Sequence, residues 1–283
     1  MKPASFEYFA PESLDEALTL LAESDQAKVL AGGQSLVPAM NFRLARPSTL
    51  IDVNRLPGLD QVTVLEDEVR IGALTRHRRF EMPMVSGPLG RLLPVMAHHV
   101  GHLPIRVRGT FGGSLAHADP SAEWCLLART TDATIVAMSR AGERLIPATE
   151  FFETVFTTTL GPDELLTEVR IPLLGDRHLV GFSEFSRRAG DFALVMVAVV
   201  AEIEEGVVIS AKVGAGGVSD VPVRLHAAES AMVGGPWESR VWDAVAEAAR
   251  AEVDPFEDIH ASADYRRDLV AALVRRACRG ALD

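Results

Sequence analysis

The segment of residues 110–123 constrains this chain most, and it reads Thr-Phe-Gly-Gly-Ser-Leu-Ala-His-Ala-Asp-Pro-Ser-Ala-Glu. Two glycines follow a short β-type run, and a hydroxyl, a histidine and two acids come next. Glycine lets a backbone approach a ligand closely, and neighbouring N–H groups in such a segment can hold an anion. A second pair of glycines occurs in residues 31–35, Ala-Gly-Gly-Gln-Ser. The two segments predict two walls of one elongated site, with two unrelated surface turns as the alternative.

Composition limits the classes of protein that this chain can belong to. Its 283 residues are 48% hydrophobic and 24% charged, which is typical of a globular protein with one large domain or two. The net charge of −11 argues against a nucleic-acid-binding surface. With only two cysteines, Cys125 and Cys278, the chain cannot form a four-cysteine zinc or iron–sulfur site or a disulfide framework.

Hydropathy gives no sign of a membrane protein. The longest apolar run, residues 192–201, is about half of the ~20 residues that a helix needs to span a bilayer. The first residues lack the apolar core of a signal peptide. We therefore expect no membrane span and a cytoplasmic location.

The first half of the chain alternates helical and strand patterns. Ser13 and Glu16 form a capping box ahead of a predicted helix over residues 14–23. A strand at 28–31 ends on the first glycine pair, and a brief helix over 35–41 places those glycines at a helix N-terminus, where a phosphate binds well. Proline positions predict a later helix from about 94 to 100 or 102, and residues 105–111 then lead into the second glycine segment as a loop. Further strands are predicted at 49–53, 62–65, 69–72, 133–138, 143–147 and 165–171.

The second half has a different order of elements. After a linker at residues 172–176 come three β-type runs, and the last ~60 residues show helical spacing. The runs are 180–186, 192–203 and 207–214, and the helices are 226–233, 237–251 and 264–279. Strands followed by helices favour an α+β layout over repeated βαβ units.

Three groups of residues resemble cofactor-binding, metal-binding or catalytic motifs, but each is explained better by a structural role. Residues 214–217, Gly-Ala-Gly-Gly, match a dinucleotide fingerprint only in part and are not followed at once by a helix. His98 and His102 would share a helix face, as metal ligands can, yet no acid completes a zinc motif. Ser114, His117 and Asp119 lie too close in sequence for the geometry of a hydrolase triad.

Two further sets of charged residues leave both interpretations open. Asp119 and Glu123 fit a turn that starts a helix, or carboxylates that accept hydrogen bonds from ligand hydroxyls. Residues 187–192, Arg-Arg-Ala-Gly-Asp-Phe, fit a charged hairpin turn or a loop of the site. The short basic clusters, such as residues 76–79, fit possible contact sites, but each is short enough to be a solvated face.

Taken together and in order, these motifs resemble the FAD-binding medium subunit of the molybdenum hydroxylases, the carbon monoxide dehydrogenase and xanthine dehydrogenase group. The resemblance covers the whole chain, and each motif is weak by itself. The motifs are Phe-Glu-Tyr-Phe-Ala-Pro at 6–11, Ala-Gly-Gly-Gln-Ser-Leu-Val-Pro at 31–38, Leu-Ile-Asp-Val-Asn at 50–54, Arg-Gly-Thr-Phe-Gly-Gly-Ser at 108–114, Glu-Leu-Leu-Thr-Glu-Val-Arg-Ile-Pro at 164–172 and Phe-Ser-Arg-Arg-Ala-Gly-Asp-Phe-Ala at 185–193.

The resemblance implies a fold and a domain division. The fold is α+β, with a two-part FAD-binding domain of the type 2, PCMH-like class over residues 1–175 and subdomains of about 1–57 and 58–175. A smaller C-terminal domain over 176–283, like that of carbon monoxide dehydrogenase flavoproteins, would hold a three-stranded antiparallel sheet with helices.

The resemblance also implies the residues that bind FAD. Both glycine segments would hold the pyrophosphate and its neighbours largely by backbone N–H groups. Asp119 and Glu123 would lie near the ribose or ribityl portion, Leu160 and Leu166 near the isoalloxazine, and Arg188 and Phe192 on the electron-acceptor side. Phe192 stands where relatives often carry a tyrosine, so only ring packing remains there. The complete predicted set is Leu30, Ala31, Gly32, Gly33, Gln34, Ser35, Leu36, Thr110, Phe111, Gly112, Gly113, Ser114, His117, Asp119, Glu123, Leu160, Leu166, Arg188 and Phe192.

The function implied by the resemblance is electron transfer without proton chemistry, so no residue is predicted to be catalytic and none to bind metal. The chain would carry FAD as one subunit of an oxidoreductase. A large subunit with the molybdopterin cofactor would oxidise the substrate, a small subunit with two [2Fe–2S] clusters would relay electrons, and the complex would be a dimer of heterotrimers. Two alternatives are a self-sufficient FAD oxidoreductase that uses a nicotinamide and a small substrate, and a scaffold that has lost its cofactor.

Overall fold

The computed structural model describes residues 1–281 and begins with a small parallel sheet. Its strand order is β1-β3-β2, and its strands are β1 (Glu7–Phe9), β2 (Ala27–Leu30) and β3 (Thr49–Asp52). Two helices accompany it, α1 (Leu14–Glu23) and α2 (Leu36–Asn41), followed by a 3₁₀ turn at Val53–Arg55. The Ser13 hydroxyl accepts from the Glu16 N–H at 3.2 Å, which confirms the predicted N-cap of α1.

The second sheet is antiparallel and has five strands in the order β4-β5-β10-β6-β7. A separate two-stranded hairpin, β8 and β9, lies between β7 and β10 in sequence. The strands of this part are β4 (Val62–Val64), β5 (Glu68–Gly72), β6 (Thr134–Ser139), β7 (Gly142–Pro147), β8 (Phe152–Thr154), β9 (Thr157–Thr158) and β10 (Leu165–Pro172).

Five helices belong to this second part and build its core against the sheet. They are α3 (Gly87–His99), α4 (Leu103–Arg108), α5 (Phe111–His117), α6 (Glu123–Thr131) and α7 (Ala148–Phe151), with a 3₁₀ helix at His77–Glu81 before them. Trp124 is fully buried, and its ring lies about 5.1 Å from the rings of both Phe80 and Phe111. The predicted start of α3 near Pro94 is wrong, because the helix begins seven residues earlier and Pro94 lies inside it.

The third sheet is antiparallel, with the order β11-β12-β13-β14. The three predicted long strands are present, and a two-residue strand joins them at one edge. The strands are β11 (His178–Phe185), β12 (Val195–Glu204), β13 (Val207–Gly216) and β14 (Val223–Arg224). The helices that follow are α8 (His226–Met232), α9 (Ser239–Glu252) and α10 (Ala263–Arg279), as predicted from their spacing.

Helix α6 joins the second and third parts. Its Leu126 packs against Met196 and Ala198 on β12, and its Thr130 lies so close to Gly214 that a Cβ there would be 2.1 Å from the hydroxyl. The opposite face of the third sheet packs against α8, α9 and α10 in a separate apolar core. The third sheet is therefore covered on both faces, and the α+β prediction is confirmed. The domain boundaries at 57 and 175 stay predictions.

Candidate functional site

A cleft of about 690 Å³ runs between the first and second parts of the molecule and reaches the third. This volume lies within the range of about 300–1,000 Å³ typical of small-molecule and cofactor sites. Both glycine segments line it, so the structure brings together the two walls that the sequence suggested. The predicted residues that line the cleft are Ala31, Gly32, Gly33, Gln34, Ser35, Leu36, Thr110, Gly112, Gly113, Ser114, His117, Asp119, Glu123, Leu160, Leu166 and Phe192.

Three predicted residues do not line the cleft. Leu30 is the last residue of β2, and its side chain packs beneath Gly33. Phe111 is fully buried in the aromatic core, because the helix that it starts turns this side chain inward. Arg188 has an exposed side chain at the tip of the β11–β12 connection, where its carbonyl accepts from Asp191 N at 3.1 Å.

The first glycine segment is shaped by two backbone constraints. Gly33 has φ of +70°, which is strained for any residue with a side chain. Gly32 lies against the second segment, and a Cβ there would be 2.5 Å from the Arg108 carbonyl oxygen and 2.6 Å from Gly109 Cα. Only glycine therefore allows the two walls to approach this closely.

The same segment carries hydrogen-bond donors that are not used by the protein. Within residues 1–281, none of the N–H groups of residues 32–36 donates to a protein oxygen. Gly32 is buried and Gly33 and Leu36 are half-buried, and the N–H groups of such residues are almost always paired. A run of free donors in a segment that lines a cleft is therefore a feature of anion sites. These donors also lie at the start of α2, where the helix dipole favours negative charge.

The second glycine segment is a helix start rather than the predicted loop. Thr110 is the N-cap of α5, and its Oγ1 accepts from Gly113 N at 3.1 Å. The N–H groups of residues 111–114 all donate to protein oxygens at 2.8–3.1 Å. The expectation that this segment binds an anion largely through its backbone N–H groups therefore needs correction, since those donors are already engaged. Its Ser114 hydroxyl lines the cleft and is the group that it offers to a ligand.

His77 also lines the cleft, although the sequence suggested only a solvated basic cluster there. Its Nδ1 lies 2.9 Å from Nε1 of Trp124, whose indole N–H can only donate. The neutral ring therefore carries its proton on Nε2. Burial and the nearby Arg76 and Arg106 charges lower the pKa of His77 to about 3, so the ring stays neutral. The partner lies 47 residues away in sequence, and no local pattern indicates it.

Two carboxyl groups lie beyond α5. Burial raises the pKa of Asp119, whose Oδ1 accepts from Ser121 N at 2.8 Å. Burial raises the pKa of Glu123 to about 8, and the nearby charge of Glu184 adds to the shift. The side chain of Glu184 is buried, with His99 Nδ1 3.7 Å from its Oε2. At neutral pH Glu123 therefore holds its proton, and its carboxyl can donate as well as accept a hydrogen bond.

The cleft also has apolar and aromatic lining residues. Leu160 and Leu166 line it, and the His117 ring stacks on Phe156 with centroids 4.8 Å apart. Phe192 also lines the cleft, with 65% of its surface exposed. Phe156, which the sequence did not single out, has a φ of +57°, an unusual conformation for an aromatic residue.

The alternative sites suggested by the sequence do not form. Helix α3 ends at His99 and His102 caps the next helix, so His98 and His102 do not share one helix face. No group of three or more His, Cys, Asp or Glu side chains in residues 1–281 could hold a metal ion. Among the same residues, no hydrogen bond joins Ser114 to His117. No helix in this part of the chain is long and apolar enough to cross a membrane.

Two family models match this chain. Residues 4–174 match the model of the FAD-binding domain in molybdopterin dehydrogenase, and residues 181–281 match that of the carbon monoxide dehydrogenase flavoprotein C-terminal domain. These matches confirm the predicted FAD-binding fold with its C-terminal domain.

Individual relatives agree along their full length. The chain is 40% identical to the 6-hydroxypseudooxynicotine dehydrogenase complex subunit alpha of Paenarthrobacter nicotinovorans, covering 100% of this chain and 96% of that one. It is similar to a chain of carbon monoxide dehydrogenase from Hydrogenophaga pseudoflava, with a TM-score of 0.94, 35% identity and coverage of 99% and 98%. It is also similar to a chain of quinoline 2-oxidoreductase from Pseudomonas putida 86, with a TM-score of 0.92, 36% identity and coverage of 99% of both chains.

The free donors, the close approach of the two walls and the volume of the cleft all fit a large cofactor with an anionic group. The matched family supplies its identity, because its first domain is an FAD-binding domain. The chain therefore belongs to the FAD-binding medium subunits of the molybdenum hydroxylases and is a flavoprotein subunit of an oxidoreductase.

Proposed function

We propose that this chain is the FAD-carrying electron-transfer subunit of a heteromeric molybdenum-dependent dehydrogenase. It takes electrons from a partner subunit with two [2Fe–2S] clusters and passes them to an external acceptor. The observation that carries the proposal is the run of free N–H groups at residues 32–36, at the place where the two walls of the cleft meet. A bound flavin supplies the redox chemistry itself.

The residues of the cleft would hold different portions of the cofactor. The N–H groups of residues 32–36 and the Ser114 hydroxyl suit the diphosphate. Asp119 and Glu123 suit hydroxyl-bearing portions, because carboxyl groups pair well with hydroxyls and Glu123 can also donate. Leu160 and Leu166 offer apolar surface to the flavin ring, and the exposed Phe192 can pack on it.

No residue of the cleft is needed as a general acid or base. Electron transfer requires that the flavin be held within reach of a donor and that its potential be tuned by hydrogen bonds, charge and burial. His77 remains neutral throughout the physiological range, so it contributes a fixed hydrogen-bonding group and no proton transfer. The relative from Paenarthrobacter nicotinovorans is named as a subunit of a dehydrogenase complex, which favours this function over a self-sufficient oxidoreductase.

The proposal includes the rest of the assembly. A large subunit would carry the molybdopterin cofactor, a small one the iron–sulfur clusters, and the whole would be a dimer of heterotrimers in the cytoplasm. Cys125 and Cys278 are both buried and free, which suits a reducing compartment.

Two experiments test the proposal. The full-length chain, refolded with FAD and desalted, should be yellow, and denaturation should release about one FAD per chain. A chain that stays colourless would contradict FAD binding. A tagged chain purified from its own cells should bring down proteins that contain molybdenum and iron, and a tagged chain that purifies with flavin but without either metal would contradict the subunit assignment.

A further inference from the structure

A chain of side-chain hydrogen bonds connects the two glycine segments from behind the cleft. Asn54 Nδ2 donates to the Ala31 carbonyl at 2.8 Å, and Asn54 Oδ1 accepts from Arg76 Nη2 at 2.6 Å. Arg76 Nη1 then donates to the Arg108 carbonyl. One end of this chain therefore lies at the first segment and the other immediately before the second.

The two carbonyls that it joins flank a point where the walls approach closely. The Arg108 oxygen is the atom that a Cβ at Gly32 would meet at 2.5 Å, and Ala31 precedes that glycine. The distance between the walls at this point is thus set by the length of two side chains, one amide and one guanidinium. Neither Asn54 nor Arg76 lines the cleft.

The orientation of the Asn54 amide is fixed by a third residue. Asp52 Oδ1 accepts from Asn54 N at 2.9 Å and from Asn54 Nδ2 at 2.6 Å, and Asp52 Oδ2 accepts from the Tyr8 hydroxyl at 2.7 Å. Because a carboxylate can only accept, the nitrogen of the Asn54 amide must face it. The oxygen of that amide is then left for Arg76.

The charge of Arg76 is not neutralised by a direct partner. Its guanidinium donates to two uncharged oxygens, and within residues 1–281 no carboxylate lies within 4.0 Å of it. Arg76 is half-buried, so its unpaired positive charge lies partly inside the protein. Its position behind the free N–H groups puts positive charge next to the proposed anion site.

We propose that Arg76 and Asn54 form a clamp that fixes the separation of the two glycine segments, so that the cradle between them fits a diphosphate. The clamp touches no part of the cofactor and acts by positioning the segments that do. This inference rests on the proposed function, since it assumes that the cleft binds FAD.

The main test compares FAD with riboflavin, which lacks the diphosphate. Calorimetric titration of the full-length Arg76→Gln variant should show FAD binding weakened about 10- to 100-fold, the effect of losing a charged hydrogen bond, with riboflavin affinity changed less than threefold. Arg79→Gln is the matched control, because Arg79 is an exposed residue of the 3₁₀ helix for which Arg76 is the N-cap, and this variant should bind both ligands as the wild type does. An equal loss of affinity for both ligands would overturn the clamp, since it would indicate general damage to the cleft.

Two further variants separate geometry from charge. Arg76→Lys keeps the charge but lacks the two-pronged guanidinium, so it should recover only part of the lost FAD affinity, and full recovery would overturn the clamp. Asn54→Ala should weaken FAD binding like Arg76→Gln, and the double variant should lose little more than the worse single one, whereas full additivity would overturn the proposal. If Arg76→Gln does not fold, Asn54→Ala carries the riboflavin comparison with the same two outcomes. Failure of the proposed function is distinguishable, because the wild type itself would then bind no FAD.

Discussion

Residues 31–36 and 110–114 both contain two glycines shortly before a serine, yet the backbone N–H groups of the two segments differ in whether they are hydrogen-bonded within the protein. In the first segment the donors of residues 32–36 are free. In the second, the N–H groups of residues 111–114 all donate to protein oxygens, which belong to Thr110 and to the backbone of Ala73 and Thr75. The same glycine pattern thus provides an anion cradle in one wall and a closely packed helix start in the other.

The two walls also differ in the groups that titrate. Residues 31–36 carry no ionisable side chain, whereas residues 110–123 contain His117, Asp119 and Glu123, each with a shifted pKa. The first wall therefore offers fixed dipoles that do not change with pH. The second wall offers hydrogen-bonding groups whose protonation depends on burial.

The largest expected effect comes from filling the gap between the walls. A Cβ at Gly113 would lie 2.6 Å from Thr110 Oγ1 and 3.8 Å from Ala31 Cβ on the opposite wall, so the branched side chain in Gly113→Leu would project into the gap. We expect this variant to be purified without FAD, as read from its visible absorbance after refolding with excess cofactor. Gly175→Leu is the control, because Gly175 is exposed and has only an ordinary contact with His178. A wild-type flavin content in Gly113→Leu would show that the cofactor lies elsewhere.

A smaller change at the first wall tests the close approach directly. The Cβ added in Gly32→Ala would clash with backbone atoms of residues 108 and 109, and the walls would have to separate. Overpacking of this kind costs about 1–3 kcal/mol, so FAD should bind about 10- to 100-fold more weakly. Calorimetric titration measures this, with Gly175→Ala as control. Unchanged affinity would mean that the narrow point between the walls is unimportant for the cofactor.

The sequence predicted most of the regular structure, because it is encoded locally. The capping box at Ser13, the apolar spacing of the last three helices and the β-type runs of the long C-terminal strands depend only on neighbouring residues. Helix α5 was missed for a physical reason. Two adjacent glycines have low helix propensity, and this helix is stabilised instead by the Thr110 cap and by burial of Phe111.

The parts of the site that depend on distant contacts could not be predicted. Arg76 and His77 belong to a short basic cluster that reads as a solvated face. In the structure Arg76 reaches Asn54, 22 residues away, and His77 reaches Trp124, 47 residues away. Tertiary contacts decided these roles, whereas the glycines and the two acids of the cleft could be identified from the sequence.

The raised pKa of Glu123 predicts that the stability of the folded protein depends on pH. The unfolded chain releases the Glu123 proton near pH 4.5, whereas the folded chain holds it to about pH 8, chiefly because of burial. The folded state thus binds more protons in this window, and stability should fall as the pH rises through it. Glu123→Gln keeps the shape without the charge, so we expect it to exceed the wild type by on the order of a few kcal/mol at pH 8.5 and by little at pH 5.

Urea unfolding of both cofactor-free chains at these pH values measures the difference. His77 has the opposite dependence, because its pKa is lowered in the folded state and its contribution is lost as the pH falls below about 6.5. This contribution cancels when the two chains are compared at the same pH. A difference that does not grow with pH would show that Glu123 is ionised in the folded protein.

The smallest expected effects come from removing the hydroxyl of Thr110 or of Ser35, the N-cap residues of α5 and α2. Thr110 is buried and caps α5, whereas Ser35 stands at the N-cap position of α2 and makes no capping bond. Thr110→Ala should therefore lower the free energy of unfolding of the cofactor-free chain by about 1 kcal/mol, and Ser35→Ala should leave it unchanged. Urea unfolding measures both.

For FAD affinity we expect the opposite order, with the larger effect in Ser35→Ala and the smaller in Thr110→Ala. Ser35 lies among the free donors of the first wall, so Ser35→Ala should weaken FAD binding a few-fold through loss of one hydrogen bond of about 0.5–1.5 kcal/mol. Thr110→Ala should change FAD affinity less than that, because its hydroxyl is already committed to Gly113 N. If both variants changed stability and affinity alike, the division between a binding wall and a structural wall would be wrong.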